Sequence, residues 1–402
     1  MARVKKVLIA NLASPANPGD QAILKGSMKV CSEILGRAEY TIATRAYSER
    51  QTYEKWGCRV VPSFPNVEPI GMDDSLGKWK KIPMTLLEGR FLKEAVRESD
   101  IVLLAGGAYF YSYRPLIPGF TFLAHISPVY WAKKFGKPVV MLPQSYGPFT
   151  SNAARSLFKY AGRSSEKILY REEISGDYLK KEFEGKGALC AFMPDHALYL
   201  EKEDLVSETA ARRKRLLGVT LRPWKENGRD ETSYVNELEE TLVWYADALD
   251  GRIRIIVQVQ DQKRSEGDEA VSLRLKERLE KRLGTDKVEF FTKKPFFELA
   301  DLCRLYYECD LMLSMRLHSA LLSFVVGTPA LVIGYQHKAE GILRSLGLAD
   351  LYMGSFKDAK ADVLKSALER LAAERGLNAR KIETALSLAR GKIQNGMKEI
   401  LL

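Results

Sequence analysis

The chain has 402 residues, of which 46% are hydrophobic and 28% charged. These proportions exclude a disordered chain, and the length suffices for two domains of roughly 150–200 residues each. The formal net charge of +11 favours an anionic partner or simply promotes solubility. No helix-turn-helix, zinc-finger or RNP-type motif is present, so we expect an anionic small molecule rather than nucleic acid as the partner.

The first apolar run, 7–10, predicts a β-strand. It is far shorter than the core of a signal peptide or the roughly 20 residues that span a bilayer. The cysteines are odd in number and scattered, which argues against a disulfide framework and a structural zinc site. They are Cys31, Cys58, Cys190, Cys303 and Cys309. We therefore expect a reducing, cytoplasmic location, with Cys303 and Cys309 in the core.

Short β-branched runs alternate with helical patterns along the first half of the chain, which is typical of a parallel sheet with crossover helices. The predicted strands are 4–10, 40–44, 59–62, 101–105, 138–142, 167–170 and 189–193. The predicted helices include 21–36, 120–135 and 152–162. The segment 63–89 contains three prolines and is predicted to be irregular.

A charged stretch after residue 200 contains the basic run Arg212-Arg213-Lys214-Arg215. We interpret it as a solvated face in an interdomain linker, with a surface for anionic lipid as the alternative. A second α/β series follows, with strands 216–221, 252–260, 287–291, 310–313 and 329–333 and with helices 234–249 and 271–283. The last stretch, from about residue 362, is predicted to be helical.

Together the two series predict an α/β protein with two facing Rossmann-like domains, whose parallel strand ends border an interdomain cleft. The expected domains are an N-terminal one at 1–205 and a C-terminal one at 206–375. A helix at 376–402 could cross back to the N-terminal domain.

Glycines and polar residues follow several strands of the first half. Gly19 and Asp20 precede a helix, where unpaired amides can hold an anion or a sugar hydroxyl, although Asp20 is also a standard N-cap. Gly106 and Gly107 permit close approach of a ligand or another backbone. The run of rings that begins at Tyr109 can pack on a sugar or belong to the core.

Three further positions lie at strand ends of the first half. Gln144 offers a side-chain amide for hydrogen bonding after the fifth strand. Arg171 can grip a carboxylate or phosphate, with an ion pair to Glu172-Glu173 as the alternative. Asp195-His196 is an improbable catalytic dyad, because neighbours in a strand point to opposite faces, so we interpret Asp195 as a turn or hinge residue.

The most informative stretch joins Arg316 and His318, separated by one leucine, where the strand 310–313 gives way to a helix. Open α/β sheets bind ligands at such positions. Lys338 follows the next strand, and Arg222 ends the first strand of this half. Ordinary packing of an Arg-Leu-His run is the alternative, but the recurrence of polar groups at strand ends favours a site.

The sequence offers no metal site. Its four histidines, His125, His196, His318 and His337, form no His-x-x-x-His pattern, and no Asp-x-Asp is present. A serine nucleophile elbow, a Gly-x-Gly-x-x-Gly fingerprint and a Walker A loop are also missing. We therefore expect no metal site.

In their order along the chain, these motifs resemble the polysaccharide pyruvyl transferase family. The matching stretches are Asn17-Pro18-Gly19-Asp20-Gln21-Ala22-Ile23-Leu24, Gly106-Gly107, Pro143-Gln144-Ser145-Tyr146-Gly147-Pro148-Phe149, Arg171-Glu172, Pro194-Asp195, Arg316-Leu317-His318 and Tyr335-Gln336-His337-Lys338. Gln21 departs from the family, where an acidic residue is common. The aromatic run from Tyr109 is also peculiar and leaves the acceptor open.

The resemblance implies a GT-B type fold and transfer of the enolpyruvyl unit of phosphoenolpyruvate onto a sugar as a pyruvate ketal. The sugar would belong to a cell-envelope polysaccharide, such as an exopolysaccharide, or to its precursor. By the same matching, His318 would be the general acid or base. The donor's anionic groups would be bound by Arg171, Arg316 and Lys338, with Arg222 as a weaker candidate. The acceptor side would hold Asp20, Gly106, Gly107, Gln144 and Tyr109.

The resemblance implies a reaction that needs no metal or organic cofactor, with phosphoenolpyruvate as co-substrate. The second partner is a sugar acceptor that is lipid-linked, nucleotide-linked or polymeric. Peripheral contact with the inner face of the membrane would suit a lipid-linked acceptor. One alternative is a metal-independent GT-B glycosyltransferase that uses a nucleotide sugar, for which Glu340 is the candidate ribose ligand. Another is a basic scaffold that binds anionic lipid or nucleic acid without catalysis.

Overall fold

A computed structural model describes residues 4–12, 14–63, 82–112, 120–184, 189–224, 232–260, 267–334 and 337–402. These residues form two units. The first comprises the described parts of Met1–Pro15, Ile23–Tyr199 and Gly391–Leu402. The second comprises Ala16–Ala22 and the described parts of Leu200–Arg390. The sequence analysis placed the boundary after residue 205, and the chain changes unit after Tyr199.

The first unit is built on a parallel sheet in which β3-β2-β1-β4-β6-β7-β8 lie in that order, with β5 beside β6. Its central strands read as continuous apolar runs because helices cover both faces of such sheets. The strands are β1 Lys5–Leu12, β2 Ala38–Thr44, β3 Arg59–Pro62, β4 Ile101–Leu104, β5 Gly107–Ser112, β6 Val139–Phe149, β7 Lys167–Tyr170 and β8 Cys190–Phe192.

Helices connect these strands and bury one face each. They are α1 Pro18–Leu35, α2 Gln51–Glu54, α3 Ile82–Glu98, α4 Phe120–Lys134, α5 Asn152–Arg163 and α6 Glu173–Glu182. The Ser151 side chain begins α5 by accepting a hydrogen bond from the Ala154 amide, and α5 buries Phe158 completely. An N-cap of this kind satisfies one of the amides that the first turn leaves unpaired.

The second unit repeats this plan with a parallel sheet in the order β11-β10-β9-β12-β13-β14, which is the 3-2-1-4-5-6 order of a Rossmann sheet. Its strands are β9 Leu216–Thr220, β10 Arg252–Ile256, β11 Val288–Phe291, β12 Leu311–Ser314, β13 Ala330–Gly334 and β14 Tyr352–Ser355. Its helices are α7 Thr232–Ala248, α8 Glu269–Leu283, α9 Leu299–Glu308, α10 Leu317–Val325, α11 His337–Ser345, α12 Ala361–Ala373 and α13 Arg375–Leu401. The last residues of α13 belong to the first unit.

The prediction of two parallel α/β series is confirmed, since each predicted strand overlaps an observed one. Two strands were not predicted, β5 and β14. The aromatic run after Gly107 is a strand because tyrosine and phenylalanine favour extended backbone, and it pairs with the second half of β6. The prediction for 63–89 is wrong from Ile82 onwards, where α3 begins. Residues 64–81 lie outside the described part of the chain.

The basic run at 212–215 is solvated at its last three residues, as the sequence suggested, whereas Arg212 is half-buried. The Arg212 guanidinium donates to the carbonyl oxygens of Val326 (2.9 Å) and Gly327 (2.8 Å), just beyond the end of α10. Arg213 pairs with Glu289 at 2.7 Å, and Arg215 pairs with Asp250 at 3.1 Å. A cation beside the last carbonyls of a helix satisfies acceptors that the helix leaves open, so Arg212 stabilises the end of α10.

The interiors of both units are apolar, as the composition predicts. Cys303 and Cys309 are completely buried, which confirms their place in the core. Burial raises the pKa of the Cys309 thiol to about 12, so this thiol stays protonated. Among the described residues, no helix is both long and apolar enough to cross a bilayer.

Two buried histidines make the stability of the first unit depend on pH. Burial lowers the pKa of His196 from 6.5 to about 4, and its Nδ1 lies 2.9 Å from the Ser27 hydroxyl oxygen. The pKa of His125 is also lowered by burial, with Arg45 adding to the effect. Below pH 6.5 the unfolded chain therefore binds protons that the folded protein does not. The unfolding free energy consequently decreases as the pH is lowered.

We expect His196 by itself to remove about 2 kcal/mol of unfolding free energy between pH 6.5 and about pH 5. Urea titrations at both pH values measure this change. A His196→Gln variant should show a smaller loss on acidification than the unaltered protein, although its stability at neutral pH falls. An unfolding free energy that stays constant over this range would contradict the prediction.

Candidate functional site

The candidate site of the second unit begins where β12 ends at Ser314. Arg316 follows in extended conformation (φ −120°, ψ 130°) as the N-cap residue of α10, and His318 lies in the first turn of that helix. Parallel strands end at one edge of their sheet, so the residues after β9, β12 and β13 share that edge. The carboxyl edge of this sheet therefore carries the predicted donor residues Arg222, Arg316 and Lys338.

Arg316 is held by a carboxylate that the sequence analysis missed. Its Nε lies 3.0 and 2.9 Å from Oδ1 and Oδ2 of Asp268, and its Nη2 lies 2.5 Å from Oδ1. Asp268 is completely buried, and its Oδ2 also accepts a hydrogen bond from the Val259 amide at 3.0 Å. The fork of the guanidinium matches the carboxylate, which fixes the orientation of the Arg316 side chain.

The charge of Asp268 depends on its cationic neighbours. Burial raises the pKa of this carboxyl group, while Arg316 and, more weakly, Arg222 oppose the rise. Two cations thus act on one buried carboxylate. The Arg222 backbone is fixed in turn, since its carbonyl oxygen accepts a hydrogen bond from the Tyr234 hydroxyl at 2.7 Å.

Two hydroxyls join the end of β9 to the first turn of α10. The oxygens of Thr220 and Ser319 lie 2.8 Å apart, and the Ser319 hydroxyl donates to the Arg316 carbonyl oxygen at 2.6 Å. Both side chains are completely buried. This network fixes the backbone on either side of His318, and sequence reasoning gave no sign of it.

His318 packs against the backbone of Gly19. A Cβ atom built on Gly19 would lie 2.5 Å from Nδ1 and 2.6 Å from Cγ of the imidazole. Any side chain at position 19 would therefore displace the ring. Glycine is needed here for close approach, in addition to the turn that the sequence suggested.

The start of α1 belongs by its contacts to the second unit. The Gln21 side chain donates from Nε2 to the Phe297 carbonyl oxygen at 3.0 Å and accepts at Oε1 from the Leu299 amide at 3.1 Å. A carboxylate could not make the first of these bonds. The two bonds together therefore require an amide at position 21. Asp20 thus lies in the second unit, whereas the sequence analysis grouped it with acceptor residues of the first.

Lys338 is the second residue of α11 and is half-buried. Residues 335 and 336 of the same motif lie outside the described residues. Glu340, the candidate ribose ligand of the alternative function, accepts a hydrogen bond from Arg344 at 2.6 Å on an exposed face. A surface ion pair of this type is a sufficient account of Glu340.

The remaining predicted residues lie in the first unit: Gly106 follows β4, Gly107 and Tyr109 are in β5, Gln144 is within β6 rather than after a strand as predicted, and Arg171 follows β7. A Cβ on Gly106 would lie 2.6 Å from the Pro143 carbonyl oxygen, and Gly107 has φ of 137°, so both positions require glycine. The Tyr109 hydroxyl donates to the Ala105 carbonyl oxygen, and its ring stacks on His125 with centroids 4.5 Å apart.

Gln144 is completely buried in β6, opposite Gly107 in β5. Its amide weakly opposes the burial that raises the pKa of the Tyr146 hydroxyl. Neither that hydroxyl nor either atom of the amide makes a hydrogen bond of ordinary geometry to a described residue. Such groups cost free energy unless a ligand or water satisfies them, which is consistent with a role at the acceptor side.

Arg171 is almost completely buried, and its Nη1 forms an ion pair with Asp195. Its Nε donates to the Ser145 hydroxyl at 3.1 Å. The ion pair offered as the alternative interpretation therefore exists, but its partner is Asp195 rather than Glu172-Glu173. Asp195 also accepts a hydrogen bond from the Ala197 amide at 2.9 Å, as expected of a turn residue. The donor-binding role of Arg171 stays a prediction.

Residues 17–337 match the sequence profile of a family described as polysaccharide pyruvyl transferase. A curated relative, the amylovoran biosynthesis protein AmsJ of Erwinia amylovora, is 25% identical over 286 residues. The aligned region covers 64% of this chain and 62% of the relative's length.

Solved structures share the fold at low sequence identity. A glycosyltransferase from Rickettsia africae ESF-5 superimposes with a TM-score of 0.59 at 14% identity, covering 99% of this chain and 98% of its own. UDP-GlcNAc 2-epimerase from Neisseria meningitidis bound to UDP-GlcNAc gives 0.61 at 12% identity, covering 98% and 99%. These similarities concern the fold and confirm the α/β class with two Rossmann-like units of GT-B type.

Proposed function

Because the chain belongs to the polysaccharide pyruvyl transferase family, we propose that it transfers the enolpyruvyl unit of phosphoenolpyruvate to two hydroxyls of a sugar, forming a pyruvate ketal. The acceptor sugar belongs to an extracellular or cell-envelope polysaccharide or its precursor. The biosynthetic role in the name of the AmsJ relative supports this choice.

The observation that carries the proposal is the pairing of Arg316 with the buried carboxylate of Asp268. Arg316 is two residues before His318 in the chain. Asp268 holds the Arg316 side chain in one orientation, so the guanidinium is ready to bind an anion without reorganising. Arg222 follows β9 and Lys338 follows β13, the two strands on either side of β12. Several cations at the sheet edge that also carries His318 suit a substrate with both a phosphate and a carboxylate.

The reaction needs one proton donor and a way to balance the charge of the leaving group. His318 donates a proton to the methylene carbon of the donor, which leaves an oxocarbenium-like carbon at C2. A sugar hydroxyl adds there and returns its proton to His318. The bond from C2 to the phosphate oxygen then breaks, the second hydroxyl adds to C2, and the departing phosphate takes its proton. Arg316, Arg222 and Lys338 stabilise the phosphate as it leaves.

The acceptor is bound by groups of the first unit. Gly106 packs against the Pro143 carbonyl and positions Gly107, whose backbone approaches the sugar, while the Tyr109 ring offers an apolar face and Gln144 an amide for its hydroxyls. Asp20, beside Gly19 in the second unit, is a further candidate ligand for a sugar hydroxyl.

An acceptor screen tests the proposal. The purified protein is incubated with phosphoenolpyruvate and with free, nucleotide-linked and lipid-linked sugars, while phosphate release and a mass gain of one pyruvyl group are followed. A thermal-shift series with phosphoenolpyruvate and nucleoside diphosphates accompanies it. Stabilisation by nucleotides only, without transfer, would replace the proposal with a metal-independent glycosyltransferase.

Gly19→Ala is expected to lower kcat/KM for pyruvyl transfer by up to about 10²-fold, because the new methyl group displaces the His318 ring from its position. Steady-state kinetics measure the loss. Gly376→Ala is the matched control, since a Cβ at position 376 meets no atom within 4 Å. Equal activity of the two variants would show that the position of His318 against Gly19 is unimportant.

A further inference from the structure

Helix α4 is apolar on more than the face that it buries. Its inner face contributes the buried residues Phe122, His125 and Val129 to the first unit. A second stripe, at the helical positions 123, 130, 131 and 134, faces outward. On this stripe Leu123 is 39% and Tyr130 48% exposed, and Trp131 is half-buried. Apolar side chains that a helix exposes together in this way often mark a surface for a partner.

Cations surround the aromatic rings of this stripe. The Trp131 ring lies 5.4 Å from the Nζ atoms of both Lys93 and Lys134. The Phe135 ring, just beyond the helix, lies 5.0 Å from the guanidinium carbon of Arg97, which also pairs with Glu94 at 3.1 Å. Lysine and arginine stems cover apolar surface while their charges remain available to a partner.

The charge near this stripe is mainly positive, because Lys93, Lys134 and Arg97 lie at its rings and the neighbouring acid, Glu94, is paired with Arg97. Residues 120–137 contain no aspartate or glutamate and three lysines, Lys133, Lys134 and Lys137. A second copy of the chain, docked through the same face, would bring these cations against each other, because a two-fold interface pairs a surface with itself. The charges therefore favour an anionic partner over a second copy.

We propose that the outward stripe of α4, defined as Leu123, Tyr130, Trp131 and Lys134, docks on an anionic lipid bilayer together with Lys93 of α3. Rings of this type settle at the level of the headgroups, with Leu123 beneath them and the lysines on the lipid phosphates. The protein lies on the membrane through this surface and does not span it. This inference is independent of the proposed reaction, since bilayer binding requires neither donor nor acceptor.

Co-sedimentation of the full chain with lipid vesicles tests the inference. We expect binding to vesicles of phosphatidylcholine and phosphatidylglycerol, weakened by salt, and little binding to phosphatidylcholine alone. Removing two lysines in Lys93→Gln/Lys134→Gln should weaken the partition about thirtyfold. Removing apolar contacts in Leu123→Ser/Tyr130→Ser should weaken the partition roughly tenfold. Both double variants should keep the melting temperature of the unaltered protein.

Two control variants make the same chemical change elsewhere. Lys180→Gln/Lys181→Gln removes equal charge from the exposed end of α6, and Leu377→Ser/Leu388→Ser removes leucines that are 57% and 63% exposed on α13. Both should bind vesicles as the unaltered protein does. Stripe variants that bind equally well would overturn the inference, as would a dimer that the stripe variants dissociate without any change in vesicle binding.

Discussion

Replacing His318 with alanine is expected to lower kcat/KM for pyruvyl transfer by about 10²–10⁴-fold while the fold is retained. The reason is the loss of the group that protonates the methylene carbon and accepts the proton of the first sugar hydroxyl. The side chain is half-buried against Gly19, and its removal leaves the Arg316–Asp268 pair in place. Phosphate release and product mass, measured at saturating phosphoenolpyruvate, give the rate.

A His318→Gln variant serves as the companion, because it keeps a hydrogen-bonding side chain of similar length but cannot carry the proton. Both variants should still be stabilised by phosphoenolpyruvate in a thermal-shift measurement, since the cations that bind the donor are unchanged. Full activity of either variant, with normal folding, would remove His318 from the proposed mechanism. Loss of donor binding together with rate would instead assign His318 a binding role.

Arg316→Ala is expected to abolish measurable transfer and to lower the unfolding free energy by about 3–5 kcal/mol. The variant leaves the completely buried carboxylate of Asp268 without its bidentate partner, and, among the described residues, the Val259 amide is the donor that remains to it. Denaturant titration measures the stability, and the same assay as above measures transfer.

The double variant Arg316→Ala/Asp268→Asn separates the two effects. A neutral amide at position 268 removes the buried charge, so most of the lost stability should return, while transfer should not. Arg316→Lys keeps the charge but cannot form the fork, and we expect weaker donor binding from it. If the single and double variants were equally unstable, the ion pair would have no bearing on the stability of the second unit.

These two predictions describe one principle of the candidate site. Asp268 and the Thr220–Ser319 hydroxyl pair contact the groups that are proposed to act, and they hold those groups in position before the substrate arrives. Positioning of this kind is what allows a few cations to stabilise a departing phosphate. Asp268 is thus a positioning residue, and its contribution should appear in both donor binding and rate.

The local pattern of the chain was enough to predict the architecture. Apolar runs such as 101–105 and 310–313 carry the strand period in their own residues, and alternation with helical stretches implies parallel pairing. Glycine, arginine and histidine at the ends of these runs then indicated the edge at which a site would lie. The order of these motifs pointed to the family, which the match over residues 17–337 confirms.

Tertiary structure alone decided which of these residues meet. Asp268 and Arg316 are 48 residues apart, and their contact depends on the order of β9, β10 and β12 in the sheet. Gly19 contacts His318, and Arg171 pairs with Asp195 rather than with a neighbour in sequence. Such contacts leave no periodic trace along the chain, because they arise from the packing of segments that are distant in sequence and close only in the folded protein.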